Sequence, residues 1–219
     1  MARFPIIRRL MKQFPTFFSR QARKPSGLFG RWVMGRGFAK GNLEMNSFVF
    51  QTMSLAPDSH VLEVGSGTGT LMAMVAERLE GGSVEGVDFS SVMHKLCCKR
   101  NRDAIARGRA KAHLGDFDAM EWPEQGFDAA FTVNTVYFWK QPKATAAKLH
   151  ALLKPGGRLY VGFHDREVME RSPLDRDVFT YYSPDSIRAM LTADNLFQSV
   201  SIHTRFGGEQ PCHCAIAFK

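Results

Sequence analysis

Apolar positions along this chain fall into short runs punctuated by glycine and proline, and the runs alternate in kind. His60–Val64 is a brief apolar stretch of strand character, closed by the Gly-rich residues 65–69. Thr70–Leu79 has helical spacing and stops at Gly81-Gly82. Ser83–Val87 reads as a second strand. Ser90–Arg107 reads as one helix, with Ser90 as N-cap and Gly108 as its stop. Lys111–Leu114 is a weak third strand and Phe127–Val133 a strong fourth. Gln141–Leu153 predicts a helix ended by Pro155-Gly156-Gly157, and Arg158–Phe163 a fifth strand. Pro184–Leu191 is helical, capped by Ser183 with Pro184 in the first position. Phe197–His203 and Cys212–Phe218 are two closing strands. The link between them, which holds Gly207-Gly208, is too short for a crossover helix, so the pair is antiparallel.

Strands that alternate with helices specify an α/β protein with a mostly parallel sheet covered on both faces. Ahead of this core lie a basic arm (residues 1–24) interleaved with Phe4, Phe14, Phe17 and Phe18, then a Gly-rich stretch, Pro25–Gly41, of loop and short turns. A helix starts near Asn42 with an apolar face of Leu43, Phe48, Val49, Phe50, Met53 and Leu55, and Pro57 ends it. The division is therefore an arm and lid segment at 1–40 and one domain at 41–219.

Composition adds little: 44% apolar and 23% charged residues in 219 positions suit one ordinary globular domain. Charge adds more. The chain has 29 Lys or Arg and 21 Asp or Glu, yet residues 1–40 hold ten of the bases and none of the acids. The remainder, with 19 bases and 21 acids, is close to neutral. The basic character thus belongs to the arm, a surface suited to nucleic acid, anionic lipid or an anionic substrate, or else a solvated, partly helical lead-in. It has the Arg-rich, acid-free look of a transit peptide. It lacks the uninterrupted apolar run of a secretory signal, since Pro5, Arg8, Arg9, Lys12 and Pro15 break it. Cytoplasmic residence is the expectation. Four cysteines give no disulfide framework. Cys212-His213-Cys214 could be read as metal ligands, but buried free thiols are the plainer reading, and no metal is expected.

The chemistry concentrates at strand ends. Val61-Leu62-Glu63-Val64-Gly65-Ser66-Gly67-Thr68-Gly69 runs an apolar strand into three glycines at alternate positions, where a backbone can turn sharply and a ligand can approach it. A dinucleotide fingerprint would need glycine where Thr70 stands, and no phosphate loop of the Gly-Lys-Ser/Thr type is present. Glu63 disfavours a phosphate there and suits a ligand with an ammonium and a sulfonium. Asp88 follows the second strand, next to Phe89, and its two oxygens suit ribose hydroxyls. Asp116, after the third strand, could accept from an adenine amine while Phe117 covers the ring.

These segments, together with Phe127-Asp128-Ala129-Ala130 and Leu153-Lys154-Pro155-Gly156-Gly157, resemble the class I S-adenosylmethionine-dependent methyltransferases over residues 58–165, and more loosely over 184–219. The resemblance implies a Rossmann-like seven-stranded sheet with its last strand antiparallel. It implies S-adenosylmethionine as cofactor, with Glu63, Gly65, Ser66, Gly67 and Gly69 along the methionine moiety, Asp88 and Phe89 at the ribose, and Asp116 with Phe117 at adenine. It places the acceptor above strands four and five, near Asn134-Thr135-Val136-Tyr137-Phe138-Trp139 and His164-Asp165-Arg166-Glu167, with Tyr181 and Tyr182 as walls and Trp32, Met34 and Phe38 in a lid. Asn134 is expected at the cofactor. Only the ends of the Asn-Pro-Pro-Tyr motif survive in Asn134–Tyr137, and no Pro-Cys pair follows strand four, so a small-molecule acceptor is expected, methylated on oxygen, nitrogen or sulfur. His164 is the candidate general base, with Asp165 to orient it and Tyr137 beside it. RNA or lipid-headgroup methylation through the arm, and a non-catalytic binding module, are the alternatives. The oligomeric expectation is a monomer or homodimer.

Overall fold

The computed structural model describes residues 11–35, 37, 41–206 and 210–219. The expectations placed on Phe4, Phe38 and Gly207-Gly208 fall outside them. The sheet is built from β1 (His60–Val64), β2 (Ser83–Asp88), β3 (Ala110–Leu114), β4 (Phe127–Val133), β5 (Leu153–Phe163), β6 (Ser199–Arg205) and β7 (Cys212–Phe218). Their order is β3-β2-β1-β4-β5-β7-β6. β1 pairs in parallel with both β2 and β4, so the strand order reverses at β1, and the crevice above its carboxyl end is where such sheets bind ligands. β7 lies antiparallel between β5 and β6.

Side chains alternate across this sheet and bury both faces. Leu62, Ala130, Leu159, Val161 and Ala215 share one apolar layer with Leu149 and Leu152 of a helix at Pro142–Leu152 and Ile187 of a helix at Pro184–Thr192. Val61, Phe131, Tyr160, Cys214 and Ile216 face the other layer, closed by Met45 and Val49 of Leu43–Thr52 and by Leu71 and Val75 of Thr70–Arg78.

Four local readings need correction. The single helix expected over 90–107 is two, Ser91–Arg100 and Arg102–Ala106, because the Asn101 amide donates to the carbonyls of Gly69 (3.1 Å) and Cys97 (3.0 Å) and breaks the turn there. The Pro-Gly-Gly turn lies within β5. Phe127 pairs with Leu153 and Ala129 with Arg158, and the extra residues bulge out through Gly156 at φ +77°. Residues 166–170 form a short helix that Asp165 caps, its carboxylate accepting from Glu167 N at 3.3 Å. Finally, the Gly-rich segment read as loop contains a helical turn, Gly27–Phe29, and a π-helical turn, Gly30–Met34. Gly30 sits so close to Pro25 that a Cβ would come within 2.7 Å of its carbonyl carbon.

The described N-terminal residues dock onto the sheet's carboxyl edge. The first labelled helix, α1 (Pro15–Arg23), is tied through Thr16 Oγ1 to Asp175 (2.5 Å) and through Ser19 Oγ to Asp175 N (2.8 Å). Ser90 Oγ accepts from Met93 N (3.3 Å) as an N-cap and donates to the Pro25 carbonyl (2.6 Å). Among the described residues no helix is long and apolar enough to cross a membrane. Because one hydroxyl serves both a helix cap and the Pro25 carbonyl, Ser90→Ala should cost about 1–2 kcal/mol in urea unfolding. It should also speed tryptic cleavage around Arg20–Lys24. Unchanged proteolysis would mean that the segment is held elsewhere.

Candidate active site

The three glycines of the β1 loop all take left-handed backbone, with φ of +77° at Gly65, +52° at Gly67 and +72° at Gly69. Space demands glycine as well at two of them. A Cβ on Gly65 would lie 2.3 Å from Thr135 Cγ2, and one on Gly69 would lie 2.7 Å from Cys97 Sγ and 3.0 Å from Cys97 Cα. Around Gly67, by contrast, the nearest neighbour is the Gly65 carbonyl at 4.0 Å, which leaves its main chain open towards a ligand.

Asp88 organises this loop. Its Oδ2 accepts from Gly67 N and its Oδ1 from Ser90 N, each at 2.8 Å. Both oxygens therefore already hold one partner and keep one lone pair each for a ligand. Burial pushes this carboxyl up from its ordinary value, and the two N–H bonds pull the other way. Glu63 is the contrasting acid. It is 4% exposed, and its Oε2 has no hydrogen-bond partner. Burial first, then the neighbouring Asp88, hold its carboxyl well above the usual range, against a backbone hydrogen bond from Met72 that pulls it down. A buried acid with one oxygen unpartnered beside a crevice favours a cationic ligand, whose charge would offset that cost.

A cavity of about 1790 Å³ joins these groups. Glu63, Gly65, Ser66, Gly67, Asp88, Phe89, Asp116, Phe117, Asn134, Tyr137 and His164 all line it, so the structure brings nearly all the expected site residues together. Gly69 instead caps the following helix behind the loop. Asp116 is exposed, while Phe117 is buried, 6.1 Å from Trp122 and with Lys148 over its ring. Phe89 carries Lys24 over its ring at 5.4 Å. Asn134, at φ +57°, donates to Asn42 Oδ1 at 3.2 Å.

The cavity also has an aromatic and aliphatic wall, bordered by Thr16, Arg171, Asp175 and Asp177. Phe18, Phe138, Met169, Leu174, Val178 and Phe179 form it, with Phe138 and Phe179 rings 4.6 Å apart. Met34 lines it as expected, whereas Trp32 does not, and Tyr181 and Tyr182 stand outside it. His164 lines the same cavity. Its Nδ1 is 3.2 Å from the Pro211 carbonyl, and Tyr137 Oη accepts from its backbone N–H at 2.6 Å. Burial lowers the His164 pKa from 6.5, with the Pro211 contact and Glu44 acting in the opposite sense. Tyr137 is 3% exposed, and burial raises its phenol. Asp165 does not line the cavity; it caps its helix and sits 3.7 Å from His213. Among the described residues no cluster of His, Cys, Asp or Glu could hold a metal. Phe18, Phe179, Asn42 and the Pro211 carbonyl were not foreseen. The first two lie far from the glycine loop in sequence, and a backbone oxygen leaves no signature in residue types.

An open α/β sheet of this order, with a glycine loop and acids at successive strand ends, defines the class I methyltransferase fold. Residues 61–157 match the family described as a methyltransferase domain. The chain is 24% identical over 135 residues to an uncharacterized methyltransferase, YdaC, of Bacillus subtilis, covering 62% of this chain and 72% of that protein. Its fold is similar to the S-adenosylmethionine-dependent methyltransferase SibL (TM-score 0.71, 18% identity, 85% of this chain and 57% of that one). It is also similar to a Thermotoga maritima methyltransferase described as a possible histamine N-methyltransferase (TM-score 0.63, 19% identity, 97% and 99%). Residues 61–157 thus match a methyltransferase domain, set on the class I methyltransferase fold, and S-adenosylmethionine is the methyl donor of that class.

The buried acid Glu63 gives a test with two readouts. Glu63 binds its proton more tightly in the folded chain than in the unfolded one, so stability falls as pH rises above the unfolded carboxyl value. Glu63→Gln should therefore unfold at a higher temperature than the parent at neutral pH, flatten the loss of stability between acid and neutral pH, and weaken S-adenosylmethionine binding. A variant no more stable than the parent at neutral pH would contradict the assignment. Asp88→Ala should reduce cofactor affinity at least about tenfold by calorimetry while circular dichroism stays native.

Proposed function

We propose that the chain moves a methyl group to an oxygen, nitrogen or sulfur atom of a small, largely apolar molecule held at the aromatic wall of the cavity. His164 is the general base. The observation that carries this reading is the contact between His164 Nδ1 and the Pro211 carbonyl. A carbonyl only accepts, so Nδ1 bears the proton and Nε2 is left with a free lone pair. Burial lowers the pKa and so keeps the ring neutral near pH 7, as a base must be. The aromatic walls and the covering N-terminal residues favour a compact acceptor over a macromolecular one.

When bound, S-adenosylmethionine supplies an electrophilic methyl carried on a sulfonium. This chain's own residues hold and orient the reactants. Gly65, Ser66 and Gly67 offer backbone to the methionine moiety, with Glu63 supplying negative charge beneath it. Asp88, with Phe89, meets the ribose, Asp116 and Phe117 the adenine, and Asn134 acts through its backbone. Tyr137 positions His164 by accepting its N–H. Asp165 acts at a distance, through the helix it caps and through His213. The described part of the 1–40 segment is a lid that excludes water from the reacting end. The four free thiols, three of them buried, suit a cytoplasmic monomer or homodimer.

His164→Ala should lower kcat/KM about a hundredfold or more with acceptors that must lose a proton, and leave S-adenosylmethionine affinity unchanged. In the parent, the rate should be flat through neutral pH and fall on the acid side of 6.5, where His164 protonates. An unchanged rate in the variant would remove His164 as the base. Loss of cofactor binding would make it structural.

A further inference from the structure

The N-terminal segment has a second face that catalysis does not use. Inward, Met11, Phe18, Val33 and Met34 line the cavity. Outward, the chemistry is different. Among the described residues seven large apolar side chains are exposed, and four of them, Phe14 (57%), Phe17 (47%), Leu28 (76%) and Trp32 (50%), lie within residues 14–32. They are close together in the chain, on consecutive helical segments. Phe14 is the N-cap of α1, and Phe17 lies in its first turn. The Phe17 ring meets Phe29 edge-on at 5.1 Å, Leu28 adjoins Phe29 in the chain, and Trp32 follows Leu28 by one turn.

Cations are interleaved with this patch. Lys12 and Arg31 are exposed and do not line the cavity, Arg31 lies 5.7 Å over the Trp32 ring, and no acid precedes Glu44 in the chain. The rest of the protein is close to neutral, so the combination of bare apolar surface and positive charge is confined to this one element. A phosphodiester backbone would satisfy the cations but leave the aliphatic Leu28 in water. A second copy would set like charges against each other.

We propose that this outer face docks the protein on an anionic lipid bilayer, with Phe14, Phe17 and Leu28 in the headgroup–acyl boundary and Lys12 and Arg31 on the phosphates. The lid over the acceptor cavity is then also the membrane anchor, which places the mouth of that cavity at a lipid surface. The inference rests on the patch alone and does not require the methyl-transfer reading.

Co-sedimentation of the full chain with phosphatidylcholine vesicles, with and without phosphatidylglycerol, tests it at low and at physiological salt. Binding should require phosphatidylglycerol and weaken with salt. The pairs Phe14→Ser/Leu28→Ser and Lys12→Glu/Arg31→Glu should each lower partition about tenfold or more. None of these four residues lines the cavity, so both variants should bind S-adenosylmethionine in solution like the parent, which shows that they fold. No binding to phosphatidylglycerol vesicles, or variants retained like the parent, would overturn the proposal. So would RNA binding untouched by Phe14→Ser/Leu28→Ser in the absence of vesicle binding, or a solution dimer that this variant dissolves.

Discussion

Two backbone N–H groups converge on one buried carboxylate, and the site is arranged around that meeting. Gly67 and Ser90 each donate to Asp88 at 2.8 Å, in a position only 9% exposed to solvent. A charge-assisted bond in such surroundings is stronger than a neutral one and costly to break. It holds the loop after β1 against the tip of β2, where three left-handed residues would otherwise have many alternatives. Two helices start from the same place, one capped at Gly69 and the other at Ser90. The Ser90 hydroxyl then reaches on to Pro25. Loop, helix starts and lid therefore share one anchor.

The two acids of the crevice are placed under opposite conditions. Asp88 is buried with partners for both oxygens, whereas Glu63 is buried with one oxygen lacking any. Both carboxyls are pushed upward by burial, and Glu63 also feels Asp88. The folded chain thus carries an unfavourable group that a cation could relieve, and a sulfonium bearing an ammonium is chemically that kind of ligand. Stability lost in the empty protein becomes affinity when the ligand is present. Elsewhere the cavity has aromatic walls and one imidazole, His164, whose Nδ1 faces the Pro211 carbonyl.

Much of this was readable in the order of residues, for local reasons. β4 and β7 run where the sequence is rich in apolar residues, Phe127–Val133 and Cys212–Phe218. The glycine loop was legible because left-handed backbone restricts residue type so sharply. What escaped depended on distant partners. Nothing around Asn101 says that its amide will reach Gly69 and split a helix. Asp165 looked like a partner for His164 and is a helix cap facing His213, because the chain turns into a helix directly after it. Residues 25–41 are rich in glycine and read as loop, yet packing against Pro25 and the body of the domain winds part of them into π-helical turns. Tertiary contact there outweighs propensity. The acceptor end was least legible, since Phe18 and Phe179 come together only in the folded chain.

Hydrogen exchange read by mass spectrometry, with and without S-adenosylmethionine, tests the central claim most directly, because it reports where the ligand sits as well as whether it binds. Slower exchange is predicted in peptides spanning residues 63–69, 88–90 and 115–118, with strands β6 and β7 unaffected. Binding that leaves those three strand ends unprotected, or no protection anywhere at saturating ligand, would contradict the account.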